Sequence, residues 1–388
     1  LREDMDAGGM GGGMDAGDGG MTMAQCTAAT WFDGGQRPDG SVELDPIPSN
    51  FDAGAWLGPV AIPGSSAPDP VGAFRFICNA SHLGYDDPIV YWGQPGCSHL
   101  HQFYGNTLAN AFSTYESLRT TGESTCGDVL NRSAYWIPAM MNGKGKVVRP
   151  DYVAIYYKRY PKDSPECAKH ATACVPMPRG LRFVFGWNKA EPGLPDVYRA
   201  WFNCDGTGLP ADAGVVSGHF ADIPTAAQNC PIGAHLGAIV NAPDCWDGKN
   251  LDSPDHRSHM AYEYDTHLGY TKCPDDHPYI IPTFTLGAWY TADADLDRSG
   301  TWTEGVTQTW SLSSDGVGAP SVTPGTTFHA DWFGAWDDDT LTKWTDNCIN
   351  KQLNCSGGNL GNGQEMKNFP GFSYVANPHL VDPPDSGM

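Results

Sequence analysis

Asp151 to Tyr157, DYVAIYY, is a run of β-branched and aromatic residues set between turn-forming prolines at 150 and 161. Residues of this kind fit a pleated, half-buried surface better than a helix. Working outward, similar runs recur at Tyr135–Ala139, Leu181–Trp187, Tyr198–Phe202, Leu236–Val240, Ile280–Tyr290 and Thr307–Leu312, and a short alternating strand precedes them at Ala73–Cys78. They do not alternate with long helical patterns, which argues against a doubly wound parallel sheet. The expected fold is mostly β: a β-sandwich or jelly-roll-like single domain with long loops, a few short helices and multiple disulfides. Two helices are predicted. Thr107–Arg119 carries Leu108, Ala111, Phe112, Tyr115 and Leu118 near helical spacing, with Glu116 toward its polar side, and Thr340–Asn350 carries Leu341, Trp344, Cys348 and Ile349 on one stripe.

A chain of 388 residues buries a substantial core, and its composition divides it into a Gly/Asp/Met-rich segment at 1–25, one domain at 26–375 and an irregular tail at 376–388. The first segment has no apolar periodicity and reads as a tether, or as an element through which copies assemble into oligomers or filaments. Its methionines at 5, 10, 14, 21 and 23 offer soft thioethers suited to Cu(I), although a plain tether needs no such role. The 45 acidic against 23 basic residues, a net charge of −22, disfavour nucleic acid and anionic membranes as partners. No apolar run is long enough to span a bilayer, and no basic-then-apolar leader is present, so the expectation is a mature secreted or cell-surface protein whose signal peptide has been removed. Twelve cysteines without a Cys-x-x-Cys pair point to a disulfide framework formed in an oxidising compartment, with Cys167–Cys174 and Cys348–Cys355 as the local pairs. Asn79, Asn131 and Asn354 begin glycosylation sequons.

The chemistry-bearing stretch is Cys245–Tyr262, CWDGKNLDSPDHRSHMAY. Titratable side chains at this density cannot enter a dry core unpaired, so the segment lies in solvent or lines a site. The spacing of His256 and His259 predicts that both sit on one side of a helical turn. Ser98-His99-Leu100-His101 and Phe328-His329-Ala330-Asp331 share its character, and extended backbone puts each i, i+2 pair on one face.

These fragments, with NRSAYWIPAM after Leu130, resemble the secreted domain family catalogued as domain of unknown function nineteen-ninety-six, found in fungi and bacteria. The resemblance covers roughly residues 80–355. It implies an extracellular setting and, through fungal relatives joined to carbohydrate-binding modules, an association with glycans.

Neutral imidazoles from separated loops, joined by a carboxylate, make a centre for zinc or copper with an open position. His99, His101, His256 and His259, with Arg257 and Asp255, are the candidate catalytic residues; His329 and Asp331 are candidate ligands. A metal-free variant would be β-elimination on a uronic-acid polymer, with Arg257, Arg132, His256 and Tyr262 or Tyr135 neutralising the carboxylate or taking the proton. Glycoside hydrolysis would instead draw on Asp87, Glu116, Asp252 or Asp255. Asp293, Asp295, Asp297, Ser299 and Glu304 match positions 1, 3, 5, 7 and 12 of a calcium loop, and predict a structural Ca²⁺ between strands, although Arg298 stands where glycine is expected. Trp246, Trp289, Trp332 and Trp336 are candidates for stacking on sugars. The expected function is a His-rich cleft that binds metal or acts on an extracellular polysaccharide as a hydrolase or lyase. The alternative is a non-catalytic structural or adhesive protein in which the histidines form a buried network.

Overall fold

The computed structural model describes residues 26–28, 44–190, 198–316 and 322–385; the tether or assembly segment expected at 1–25 lies outside them. The principal strands in chain order are β1 Gly72–Cys78, β2 Ala80–Gly84, β3 His101–Gly105, β4 Ala134–Pro138, β5 Tyr152–Arg159, β6 Arg182–Gly186, β7 Ala200–Asp205, β8 His235–Asn241, β9 Thr283–Thr291, β10 His329–Phe333 and β11 Asn354–Cys355. They form two sheets, one of six strands in the order β7-β8-β9-β5-β1-β11 and one of five in the order β6-β10-β4-β3-β2. All neighbours are antiparallel except β1 and β11.

The two sheets pack face to face because their inward residues alternate with outward ones. From the six-stranded sheet Phe74, Phe76, Ile155, Tyr157, Leu236, Phe284 and Leu286 point inward, and from the five-stranded sheet Tyr104, Tyr135, Ile137, Phe183, Phe185 and Trp332 meet them. Phe284 is the hub, in ring contact with Tyr135, Tyr157, Phe183, Phe185 and Trp332. Full burial of one such side chain stabilises the fold by about 2–3 kcal/mol. The hydroxyls of Tyr135 and Tyr157, 2.8 Å apart, satisfy each other across the core. Tyr135 is therefore a core residue and not a base.

All twelve cysteines pair: Cys26–Cys97, Cys78–Cys126, Cys167–Cys174, Cys204–Cys230, Cys245–Cys273 and Cys348–Cys355. The two local pairs are among them. The long run at Ile280–Tyr290 splits at Pro282, leaving a short strand at Tyr279–Ile280 and β9 beyond.

The predicted Thr107–Arg119 helix shrinks to Tyr115–Thr120. Asn106 and Asn110 each accept, through Oδ1, the backbone N–H two residues on, at 2.8 Å, and these turns replace the first helical turns. Leu108 and Phe112 consequently stay exposed. The late helix forms at Asp338–Trp344 and continues as a wider turn through Thr345–Ile349. The segment from 376 is less irregular than its prolines suggest, since Leu380–Val381 pairs with Val147–Val148.

Candidate metal centre

The outer face of the five-stranded sheet carries the site. Along β10 the side chains of His329 and Asp331 share that face, while Ala330 and Trp332 turn into the core. β6 lies alongside, with Gly186 opposite His329 and Val184 opposite Asp331. His101 opens β3, and His99 reaches the same place from the loop before it. One imidazole nitrogen from each of His99, His101 and His329 lies within 4.8 Å of the other two, so the three rings could hold one ion. They form the sole group of three or more metal-type ligands this close among the described residues.

Two hydrogen bonds set the tautomers. Nδ1 of His101 donates to the carbonyl of Asp86 at 2.9 Å, and Nδ1 of His329 donates to the carbonyl of Thr327 at 2.8 Å. A carbonyl only accepts, so in both rings Nε2 keeps its lone pair. Nε2 of His99 and of His101 is buried without a hydrogen-bond partner, as are both carboxyl oxygens of Asp331. Burial, followed by the neighbouring imidazoles, lowers the pKa of His99 well below its ordinary value. Burial takes His101 down to about 3 and His329 to about 4. Three neutral donors thus meet in one place, the state a metal requires.

Beside them opens a cleft of about 520 Å³ whose lining includes Asp87, Trp187, His256, Arg257, His329 and Asp331. Burial raises the Asp331 carboxyl well above the usual range, and the nearby Asp87 pushes the same way. Burial also raises Asp87, to about 6, against the N–H groups of Val90 and Ile89 that its Oδ1 accepts at 2.9 and 2.8 Å. His256 also lines the cleft, its Nδ1 2.9 Å from Oδ1 of Asp252, whose Oδ2 accepts from Nε of Arg182 at 2.9 Å. Burial opposes the charge on Asp252, yet His256 and Arg182 outweigh it and hold that carboxyl below its ordinary pKa. His256 itself has φ +57°, a left-handed backbone that costs energy for a residue carrying a Cβ and that the surrounding loop must enforce.

The predicted pairing of His256 with His259 does not occur. The segment is a bent loop and not a helical turn, so the i, i+3 argument fails. His259 is 1% exposed, with Nδ1 2.8 Å from the hydroxyl of Ser253 and Nε2 2.9 Å from the carbonyl of Arg182. It staples the loop to β6. Asp255 borders the cleft, but its Oδ1 accepts from the Ser258 hydroxyl and from the N–H groups of Arg257 and Ser258, and lies 2.8 Å from the Ser253 hydroxyl. Burial works against its charge, and these bonds prevail, holding the carboxyl well below its usual range. Arg257 keeps its place at the cleft while donating to the carbonyl of Trp187 at 2.8 Å. Arg132 instead binds Asn50 and the carbonyl of Arg119, and Tyr262 donates to the carbonyl of Asn241. Glu116 is exposed in the first turn of the Tyr115–Thr120 helix.

Four residues of the expected calcium loop, Asp293, Asp295, Asp297 and Ser299, have protein partners. Asp293 accepts from the indole of Trp310 and pairs with His379, and Asp295 accepts from Lys144 and Asn142. Asp297 accepts from Ser299, and Glu304 is exposed. No three of these carboxylates reach the 4.8 Å closeness of the histidine group. Lys144, 53% exposed, is the ion-pair partner of Asp295. Arg182 and Trp187 were missed as site residues; a charged residue opening the apolar run Arg182-Phe-Val-Phe is itself a signal of a buried partner.

The family model described as Domain of unknown function (DUF1996) matches residues 87–336. The chain belongs to the DUF1996 family. That span holds His99, His101, His256 and His329, and so the whole of the histidine group and most of the cleft wall fall inside the DUF1996 region. No curated protein and no solved structure matches the chain.

Proposed function

We propose that this DUF1996 protein is an extracellular metal-dependent hydrolase that cleaves glycosidic bonds in a polysaccharide, with the ion held by His99, His101 and His329. The observation that carries the reading is the convergence of three neutral imidazoles, two of them with buried, unpartnered Nε2 atoms, at the end of an open cleft. Six disulfides support the extracellular setting, because such bonds persist in oxidising compartments. Zinc and copper both suit an all-imidazole donor set. When bound, such an ion acts as a Lewis acid and makes bound water acidic.

The chain's own groups supply the proton transfers. His256, oriented by Asp252, takes a proton from the attacking water, whose oxygen bonds to the anomeric carbon as the glycosidic C–O bond breaks. Asp87, held partly protonated by burial, gives its proton to the departing sugar oxygen. Trp187, whose ring centroid is 6.4 Å from that of His329, offers an apolar face beside the reacting centre. Arg257 brings positive charge to the cleft of an otherwise acidic protein.

The test is to purify the protein without chelator or nickel, measure its metal by mass spectrometry, and assay reducing-end release from a panel of polysaccharides with apo and reconstituted protein. One equivalent of transition metal and metal-restored release of reducing ends are expected. Release of ultraviolet-absorbing unsaturated ends would replace hydrolysis by elimination. Metal-free protein that takes up neither zinc nor copper would overturn the reading.

A further inference from the structure

The six-stranded sheet also has an outer face, on the far side of the sandwich from the histidines. Trp289 on β9 stands there between Gly237 on β8 and Tyr152 on β5 in register. Its indole lies over two glycines. A Cβ on Gly237 would come within 2.6 Å of the ring, and one on Gly287 within 3.2 Å of the indole nitrogen. Any side chain at 237 would lift the ring off the sheet, so the two glycines let it lie down and present its face outward.

Around it runs a groove of about 420 Å³ lined in part by Arg75, Tyr152, Tyr156, Asp205, Trp289 and Tyr374. The rings brace one another: Tyr374 sits edge-on to Tyr152 with centroids 6.0 Å apart, and Phe372 edge-on to Tyr374 at 4.9 Å. Arg75 lies over the ring of Tyr156 at 5.4 Å. Tyr156 and Tyr374 remain 42% and 59% exposed, large aromatic surface left in water where core packing would have hidden it.

We infer that this groove is a second carbohydrate site, which holds a neutral polysaccharide chain against the outside of the six-stranded sheet, away from the cleft. Flat aromatic faces stack on the C–H face of a pyranose, while phenolic hydroxyls and the Asp205 carboxylate at the rim meet its equatorial hydroxyls. A neutral polymer fits best: Arg75 is already engaged by Tyr156 and Asn354, Asp205 puts an acid in the groove, and the net charge of −22 repels polyanions. The groove lies on a sheet face and not on an edge, so its backbone groups are spent in the ladder and offer no strand-addition site for a peptide. The two sites on opposite faces give anchoring and cleavage separate surfaces. Binding here needs neither metal nor turnover.

The experiment is adsorption of the full chain, with and without chelator, to amorphous cellulose, chitin, insoluble xylan, alginate beads and fibrillar collagen. Expected is saturable binding to at least one of the three neutral polysaccharides, weakened about tenfold or more by Trp289→Ala and by the double change Tyr156→Ser/Tyr374→Ser. The second variant alters exposed residues alone and guards against misfolding of the first. Zinc or copper uptake by Trp289→Ala and by Tyr156→Ser/Tyr374→Ser is expected to match that of the wild type, which separates this site from the cleft. Absence of adsorption to all three neutral polymers, preference for alginate or collagen, or unchanged binding by both groove variants would overturn the proposal.

Discussion

Nδ1 of His101 donates its hydrogen to the carbonyl of Asp86, 2.9 Å away, and this bond leaves Nε2 as an unprotonated donor in the site. Asp86 also fixes the loop, its Oδ1 accepting the N–H of Gly96 at 3.1 Å and its Oδ2 that of Ala111 at 3.2 Å. The ring is therefore already oriented, which would lower the cost of holding an ion there. His99→Ala, His101→Ala and His329→Ala are each expected to weaken zinc or copper binding by about a hundredfold or more, whereas His256→Ala changes it less than tenfold. Isothermal titration against the apo protein reads this directly. Equal losses at His256 and at the three ligands would bring His256 into the centre.

His259 predicts the opposite behaviour. It is buried with both ring nitrogens hydrogen-bonded, one to Ser253 and one to the carbonyl of Arg182. His259→Ala removes two bonds and opens a cavity, an expected loss of about 2–3 kcal/mol of stability with metal affinity retained. Urea denaturation of the variant, paired with its metal titration, distinguishes a loop staple from a ligand. A variant as stable as the wild type but unable to bind metal would reverse the assignment.

How far the sequence could lead is visible in particular residues. The strands were legible because β-branched and aromatic runs bounded by turn residues carry their own geometry, and His329 with Asp331 followed from the two-residue period of an extended chain. The same period shows why Trp332 was a poor choice for sugar stacking. One position from Asp331 on a strand, it must face the other way, into the core, where it is fully buried. Trp246 and Trp336 are buried as well, and of the four tryptophans named from the sequence Trp289 alone is partly exposed. The convergence of His99 and His101 with His329, more than two hundred positions away in the chain, depends on the pairing of β10 with β4 and of β4 with β3, which no local pattern encodes. The loop around His256 was misread because helical spacing was assumed where Asp247, Asp252 and Asp255 instead bind nearby backbone N–H groups and shape turns.

The acidic loop at 293–304 separates pattern from partner. Its spacing fits calcium, but Lys144 pairs with Asp295 and His379 with Asp293. Millimolar calcium is expected to leave the melting temperature of the wild type within about one degree of the value in chelator. Lys144 is 53% exposed, so Lys144→Met on its own should cost no more than about 1 kcal/mol. That variant also frees the Asp295 carboxylate, and calcium should stabilise it more than it stabilises the wild type. A rise of several degrees for the wild type in calcium, absent in magnesium, would restore the ion to the loop.

Asp87 gives the cleft a pH signature. Its carboxyl has a pKa of about 6 in the folded chain, raised chiefly by burial, against an ordinary value of 3.8. For an acid whose folded pKa is raised, the stability it contributes is fully present below the unfolded value and is lost as pH climbs through the folded one. The wild type should therefore lose stability between about pH 4 and pH 6 from this group, by about 2–3 kcal/mol at full effect. Asp87→Asn cannot ionise, and its amide oxygen still accepts the N–H groups of Ile89 and Val90. In chelator, to exclude compensation by a bound cation, the variant should match the wild type at pH 4 and exceed it at pH 8. The same substitution removes the proposed proton donor, so turnover should fall by about a hundredfold or more while stability rises. Denaturation curves at the two pH values and one activity assay contain the whole test: a variant that is less stable at pH 8 would show that the charge at Asp87 is wanted in the fold, and a variant with full activity would remove it from the chemistry.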